Sequence, residues 1–238
     1  AEMDKIKTIK NIFPANHFAA AYALIAVPVR IAIENKNWEL ATQLELPDTQ
    51  MNWEEAHWSK AMLHFSRALG FSNTGNPVAA EKELAILISL HDRLIEKKDS
   101  YAAGQVAIQI NATKAWIQLA KGNSEKAITL MKLAVDLESK TSKAPVTPGE
   151  IVPASELLAN LYLAANQPKK AFETYKLNLK GHPLRFNGIY GAAKAAIQLN
   201  KTAEAIYYFD QLVSLSAAVK SSRPEVAEAK AFLKNQQT

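Results

Sequence analysis

Glu54, His57 and His64, in the stretch WEEAHWSKAMLHF, are side chains of the kinds that ligate metals or move protons. On a helix, His57 and His64 share a face but lie about 10 Å apart along the axis. That is too far for both to hold one ion, and zinc-binding helices use a tighter spacing such as His at i and i+4. A metal would need Glu54 and His57 together with ligands from elsewhere. Ordinary packing is the plainer expectation, so neither metal nor cofactor is expected. His91-Asp92 and His182-Pro183 could also serve acid–base chemistry, but no nucleophile motif or glycine-rich phosphate loop stands near them. His182, beside Gly181, reads as the end of a helix. No catalytic residue is identified, and the chain reads as non-enzymatic.

Composition narrows the classes further. The 238 residues contain no cysteine, which excludes disulfides, thiolate metal sites and cysteine nucleophiles. Hydrophobic residues make up 48% and there are only 8 glycines, a mix that favours helix and a sizeable core. The net charge is +5, unevenly spread: residues 1–119 carry 12 Lys+Arg against 13 Asp+Glu, and residues 120–238 carry 16 against 10. The basic half suits an acidic partner. It contains no arginine-rich block or nucleic-acid motif, so no nucleic acid is expected. The longest apolar run, Phe18 to Ile33, contains Pro28 and Arg30 and is too short to span a membrane.

The elements that would position any site come from a repeat. LAKGNSEKAITLM, LAANQPKKAFETY and IQLNKTAEAIYYF superimpose without gaps. Each is a helix end, a polar turn and a second helix whose opening alanine is Ala127, Ala171 or Ala205. Ala41 and Ala80 extend the ladder at spacings of 39, 47, 44 and 34. The last spacing is the period of the tetratricopeptide repeat. That motif's small residues and its larger i+4 partners occur as Leu158-Ala159-x-x-Tyr162, Ala171-x-x-x-Tyr175 and Pro183, and again as Ala205-x-x-x-Phe209. Small residues let antiparallel helices approach, and the larger ones fill against the next pair.

The chain therefore reads as one all-α, tetratricopeptide-like right-handed superhelix (solenoid) over residues 1–238. A leading helix covers 2–13. Pairs follow at 17–34 with 38–46, 53–72 with 77–97, 101–121 with 124–141, 153–166 with 168–181 and 184–199 with 202–217. A final helix over 224–235 begins at Pro224 and covers the last pair's apolar face. Pro28 should kink the second helix. The insertion TSKAPVTPGEIV separates the third and fourth pairs. Pro148-Gly149 suits a type II turn and Pro153 the first turn of the next helix. The insertion is either a rigid connector or a lid at a groove's edge.

Five segments carry a closer resemblance: NHFAAAYALIAVPVRIAIENKNWELA, HWSKAMLHFSRALG, APVTPGEIVPASELL, FNGIYGAAKAA and SSRPEVAEAKAFL. In this order they resemble a large, uncharacterised bacterial family of exported tetratricopeptide-repeat proteins, from about Asn16 to Leu233. The resemblance implies an exported location, and that this chain is the C-terminal half of a longer protein. It also implies that the first helix of each pair lines a concave groove. Projected so, the lining residues are Arg30, Met62, Phe65, Trp116, Asn160, Asn187, Tyr190 and Lys194. Met62 and Phe65 read more readily as core, and Trp116, Tyr190 and Lys194 read equally as groove or core. Some relatives clamp a peptide's terminal carboxylate with Lys and Asn. Asn160 stands at the asparagine position, but Glu156 stands where the lysine is needed, which argues against that ligand. The expected function is a scaffold for a protein or peptide, with its groove centred on the third to fifth pairs. The alternative is an accessory half of a protein whose activity lies upstream.

Overall fold

The computed structural model describes residues 2–141, 150–217, 219 and 221–236. Among them every regular element is a helix: α1 (Glu2–Thr8), α2 (Phe18–Glu34), α3 (Trp38–Thr42), α4 (His57–Asn73), α5 (Pro77–Glu96), α6 (Ser100–Ala120), α7 (Ser124–Ser139), α8 (Ala154–Ala164), α9 (Pro168–Gly181), α10 (Phe186–Gln198), α11 (Thr202–Ala217) and α12 (Pro224–Asn235). They pack as sequential antiparallel pairs, the all-α array expected from the repeat. The chain divides into two compact units, residues 1–154 and 155–238.

Among the described residues one joint recurs six times. Lys36, Gly75, Lys98, Gly122, Asn166 and Asn200 each take a positive φ. The next residue then donates its N–H back to a carbonyl five positions earlier, as in Asn123 to Gln118 at 2.8 Å and Lys201 to Ala196 at 2.9 Å. This closes the helix C-terminus and reverses the chain within two residues. That next residue also opens the following helix. Asn37, Asn76 and Asp99 accept the backbone N–H three residues on with their side chains. Four residues beyond the opening residue, the N–H of Ala41, Ala80, Ala127, Ala171 or Ala205 makes the new helix's first hydrogen bond. All five alanines are fully buried.

Three expected boundaries shift, for tertiary reasons. α1 stops at Thr8 rather than residue 13, because the backbone beyond it pairs with a distant strand of chain. The Lys10 and Ala15 carbonyls accept N–H groups from Gln50 and Asn52. α3 stops at Thr42 rather than residue 46: Arg67 takes the Leu44 carbonyl at 2.9 Å, and Pro47 disfavours helix just before it. α4 starts at His57 rather than residue 53, since Trp53 points its indole N–H at the Pro47 carbonyl. α2 continues as helix through Pro28. α8 begins at Ala154, so Pro153 precedes its first turn. The Pro148-Gly149 turn lies outside the described residues.

In the first unit, α2, α4 and α6 lie side by side, backed by α3, α5 and α7. Ile25, Met62, Leu69, Leu87, Ile117 and Met131 fill the core. Met62 and Phe65 are therefore packing residues and not groove residues. Trp58 ties the starts of the three first helices together, stacking on Phe18 at 5.7 Å and meeting Tyr22 and Tyr101 edge-on at 5.4 and 5.7 Å.

In the second unit, Tyr175 is buried against α10. Gly191 makes this possible, because a Cβ there would fall inside the Tyr175 ring. The Tyr175 hydroxyl donates to Asn160 Oδ1 at 2.5 Å. Burial, followed by the nearby Glu156 charge, holds that phenol protonated far above its usual range. α12 begins at Pro224 with Glu225 in its first turn, and packs Ala229, Phe232 and Leu233 onto Ile189, Phe209 and Leu212. It covers the last pair as expected.

Candidate partner-binding surface

Besides the packing residues Met62 and Phe65, the first unit holds two projected groove residues, Arg30 and Trp116, and neither stands open to solvent. Arg30 on α2 donates from Nη2 to the Glu150 carbonyl at 3.0 Å, across 120 residues of sequence. Beyond Glu150, Ile151, Val152 and Pro153 are buried, and the Ala154 N–H is accepted by both carboxylate oxygens of Glu138 on α7 at 3.0 and 3.1 Å. The exit of the Pro-rich insertion is thus pinned at both ends. Trp116 is only 8% exposed, and its indole N–H is buried without a hydrogen-bond partner. Gln109 Oε1 and Thr113 Oγ1 share that condition. At i, i+4 and i+7 the three form one polar stripe on α6. The sequence reading missed this stripe, although polar residues at helical spacing in an apolar helix were its visible signal.

A second feature was also missed. Asn16, Phe18, Met51, His57, Trp58 and Lys97 line a cleft of about 380 Å³ beside the start of α4. His57 Nδ1 is buried there without a partner. Burial, followed by the Lys97 charge, pushes the His57 imidazole below its usual range. Glu55 and Lys97 form an ion pair at the rim.

Glu54, His57 and His64 are not assembled into one site. Glu54 is exposed, 4.0 Å from Lys60. His64 lies 2.6 Å from Glu83, whose other oxygen accepts from Arg67 Nε at 2.8 Å. Among the described residues no group of three or more His, Cys, Asp or Glu side chains could hold a metal. His182 closes α9 with its N–H on the Asn178 carbonyl at 2.8 Å.

The second unit collects the remaining groove residues: Asn160 on α8, and Asn187, Tyr190 and Lys194 on α10. The three on α10 fall at i, i+3 and i+7, on one face. Each has an internal partner. Asn187 Oδ1 accepts from Arg223 Nη2 at 2.9 Å. The Tyr190 hydroxyl donates to Glu228 Oε2 at 2.5 Å, and Lys194 Nζ donates to Glu228 Oε1 at 2.7 Å. Arg223 also lies over the Phe186 ring, 3.8 Å from its centroid. Burial raises the Glu228 carboxyl and the bonds from Lys194 and Tyr190 lower it; the net shift is downward, so it is held ionised. Burial and the Glu228 contact keep the Tyr190 phenol protonated. Asn160 is set apart, engaged by Tyr175. Glu156, at the position where a carboxylate clamp needs lysine, is buried and gripped by Arg185.

Among the described residues no helix is long and apolar enough to cross a membrane. No curated protein matches the chain. Residues 108–141 match the tetratricopeptide repeat. The match covers the second half of α6, the joint at Gly122 and all of α7. That family is typically non-catalytic, and the repeat suggests a protein-binding scaffold in general. The segment matched is one joint and one ladder alanine, Ala127, of the structural unit that recurs along this chain.

Proposed function

We propose that the protein is a non-catalytic scaffold that binds an acidic protein segment on the first-helix face of its second unit. One observation carries this reading. Tyr190 and Lys194, one helical turn apart on α10, together hold a single carboxylate at 2.5 and 2.7 Å. A hydroxyl and an ammonium converging on one point form a charge-assisted site for Asp or Glu. The basic balance of residues 120–238 favours encounter with an acidic segment. The aromatic body of Tyr190 supplies contact area that slows release.

The test is pull-down with the intact chain, followed by binding kinetics on the recovered partner. Tyr190→Phe and Lys194→Gln should each weaken binding, and added salt should slow association. Normal binding by both variants, with loss on changing exposed residues of α9 or α11, would move the function to the opposite face. The family resemblance further supports an exported location, which fractionation of the natural host would check.

A further inference from the structure

We infer that α12 is a built-in competitor for this face, and that the partner is an amphipathic helix of α12's own chemistry. The inference rests on the reading of α10 as a binding face and names its ligand and its control. The chemistry is written in R-P-E-V-A-E-A-K-A-F-L, residues 223–233. Glu228 occupies the Tyr190–Lys194 site. Arg223 occupies Asn187 while paired with Glu225 at 2.9 Å. Val226 and Ala229 are buried, and Phe232 meets Phe209 with ring centroids 5.1 Å apart. A competing helix therefore needs an acid at the Glu228 position, apolar residues two before and one after it, and an aromatic four after it.

The hold of α12 is light enough to be exchanged. Of its residues only Val226 and Ala229 are buried, whereas α11 buries Ala205, Phe209, Leu212 and Ser216. The central ion pair is half open, with Lys194 38% and Glu228 41% exposed. Val219, in the link from α11, is 73% exposed. If α12 lifts, it uncovers Ile189, Phe209 and Leu212 beside Tyr190 and Lys194. That is an apolar floor with a carboxylate site at its edge, the composition of a helix-binding groove. Tethering keeps α12 at a high effective concentration, so a free helix succeeds only when α12 is weakened or the competitor is stronger.

The probe is a fluorescein-labelled peptide of residues 221–236, titrated by anisotropy into the full-length chain. Glu228→Gln in the protein leaves the peptide's own Glu228 intact and weakens only the tethered helix. It should tighten peptide binding by roughly tenfold over wild type. Adding Lys194→Gln or Tyr190→Phe to the Glu228→Gln chain should remove most of that gain, and circular dichroism confirms that each variant is folded. Equal peptide affinity for wild type and Glu228→Gln, or a gain indifferent to Lys194 and Tyr190, overturns the inference. So does a wild-type dimer that dissociates on Glu228→Lys, because the occupant would then be a second copy's α12. If the peptide behaves as expected while every recovered partner ignores Tyr190 and Lys194, competition at the face stands and the scaffold reading falls.

Discussion

Arg185 holds Glu156 at both oxygens, Nε to Oε2 and Nη2 to Oε1, each at 2.8 Å, with the carboxylate 1% exposed. A buried charge pair is costly to break from one side, because the remaining charge loses both water and partner. Arg185→Ala is therefore expected to destabilise the chain by roughly 3 kcal/mol. Replacing both residues with apolar side chains of similar size should recover most of that loss. Urea midpoints of the single and double variants decide it. A single variant near wild type would mean that water reaches Glu156.

The ladder alanines should not tolerate bulk. Ala171→Leu and Ala205→Leu each insert three carbons into a fully buried helix crossing. A loss of about 1–3 kcal/mol is expected at each. Neutral thermal melts at both sites would show that the crossings are looser than they look.

Gly191→Ala places a methyl group where the Tyr175 ring sits. The ring is walled in and its hydroxyl is committed to Asn160. A loss of about 1–3 kcal/mol is expected, with a shift in tyrosine near-ultraviolet dichroism as the ring is displaced.

Acid should unfold the first unit partly through Glu83. Burial raises its carboxyl, but hydrogen bonds from His64 and Arg67 lower it further, leaving the folded value below the ordinary one. Its stabilisation is therefore complete above the unfolded carboxylate range, near pH 4.5, and is lost as pH falls through the lower folded value. Glu83→Gln should flatten that acid limb of the stability curve. An unchanged limb would assign the acid sensitivity to other carboxylates.

Arg30→Ala should loosen the exit of the insertion. Its bond to the Glu150 carbonyl is one of the two hydrogen-bonded ties that flank Ile151 and Val152, the other being Ala154 to Glu138. Amide exchange at Ile151 and Val152 should quicken about fivefold, the effect of one hydrogen bond.

The helical pairs could be read from the sequence because their signals are local: a Gly or Asn at four of the six joints, an Asn or Asp opening the next helix at four, and an alanine four residues on. α1 and α3 could not be sized this way. Their ends depend on Gln50 meeting Lys10 and on Arg67 reaching Leu44, contacts 40 and 23 residues apart in the chain. The site divides along the same line. Helical spacing placed Asn187, Tyr190 and Lys194 on one face. No spacing could show that Glu228, 34 residues beyond Lys194, already occupies Tyr190 and Lys194, and that Arg223 occupies Asn187. Glu156 looked anomalous in the sequence only because Arg185, its partner, lies 29 residues away.

The joints hold a reserve of stability. A left-handed backbone costs a side-chain-bearing residue about 1 kcal/mol that glycine escapes. Gly75 and Gly122 already escape it, while Lys36 and Lys98 take φ of 51° and 59° at the same structural position. Each lysine donates its backbone N–H to the helix end, Lys36 to the Ile33 carbonyl at 3.0 Å and Lys98 to the Ile95 carbonyl at 2.9 Å, and glycine keeps both bonds. Glycine at both positions would raise the melting temperature without touching the core or the α10 face. A more thermotolerant variant is thus two substitutions away, and it would let partner screens run under harsher washing than the natural chain allows.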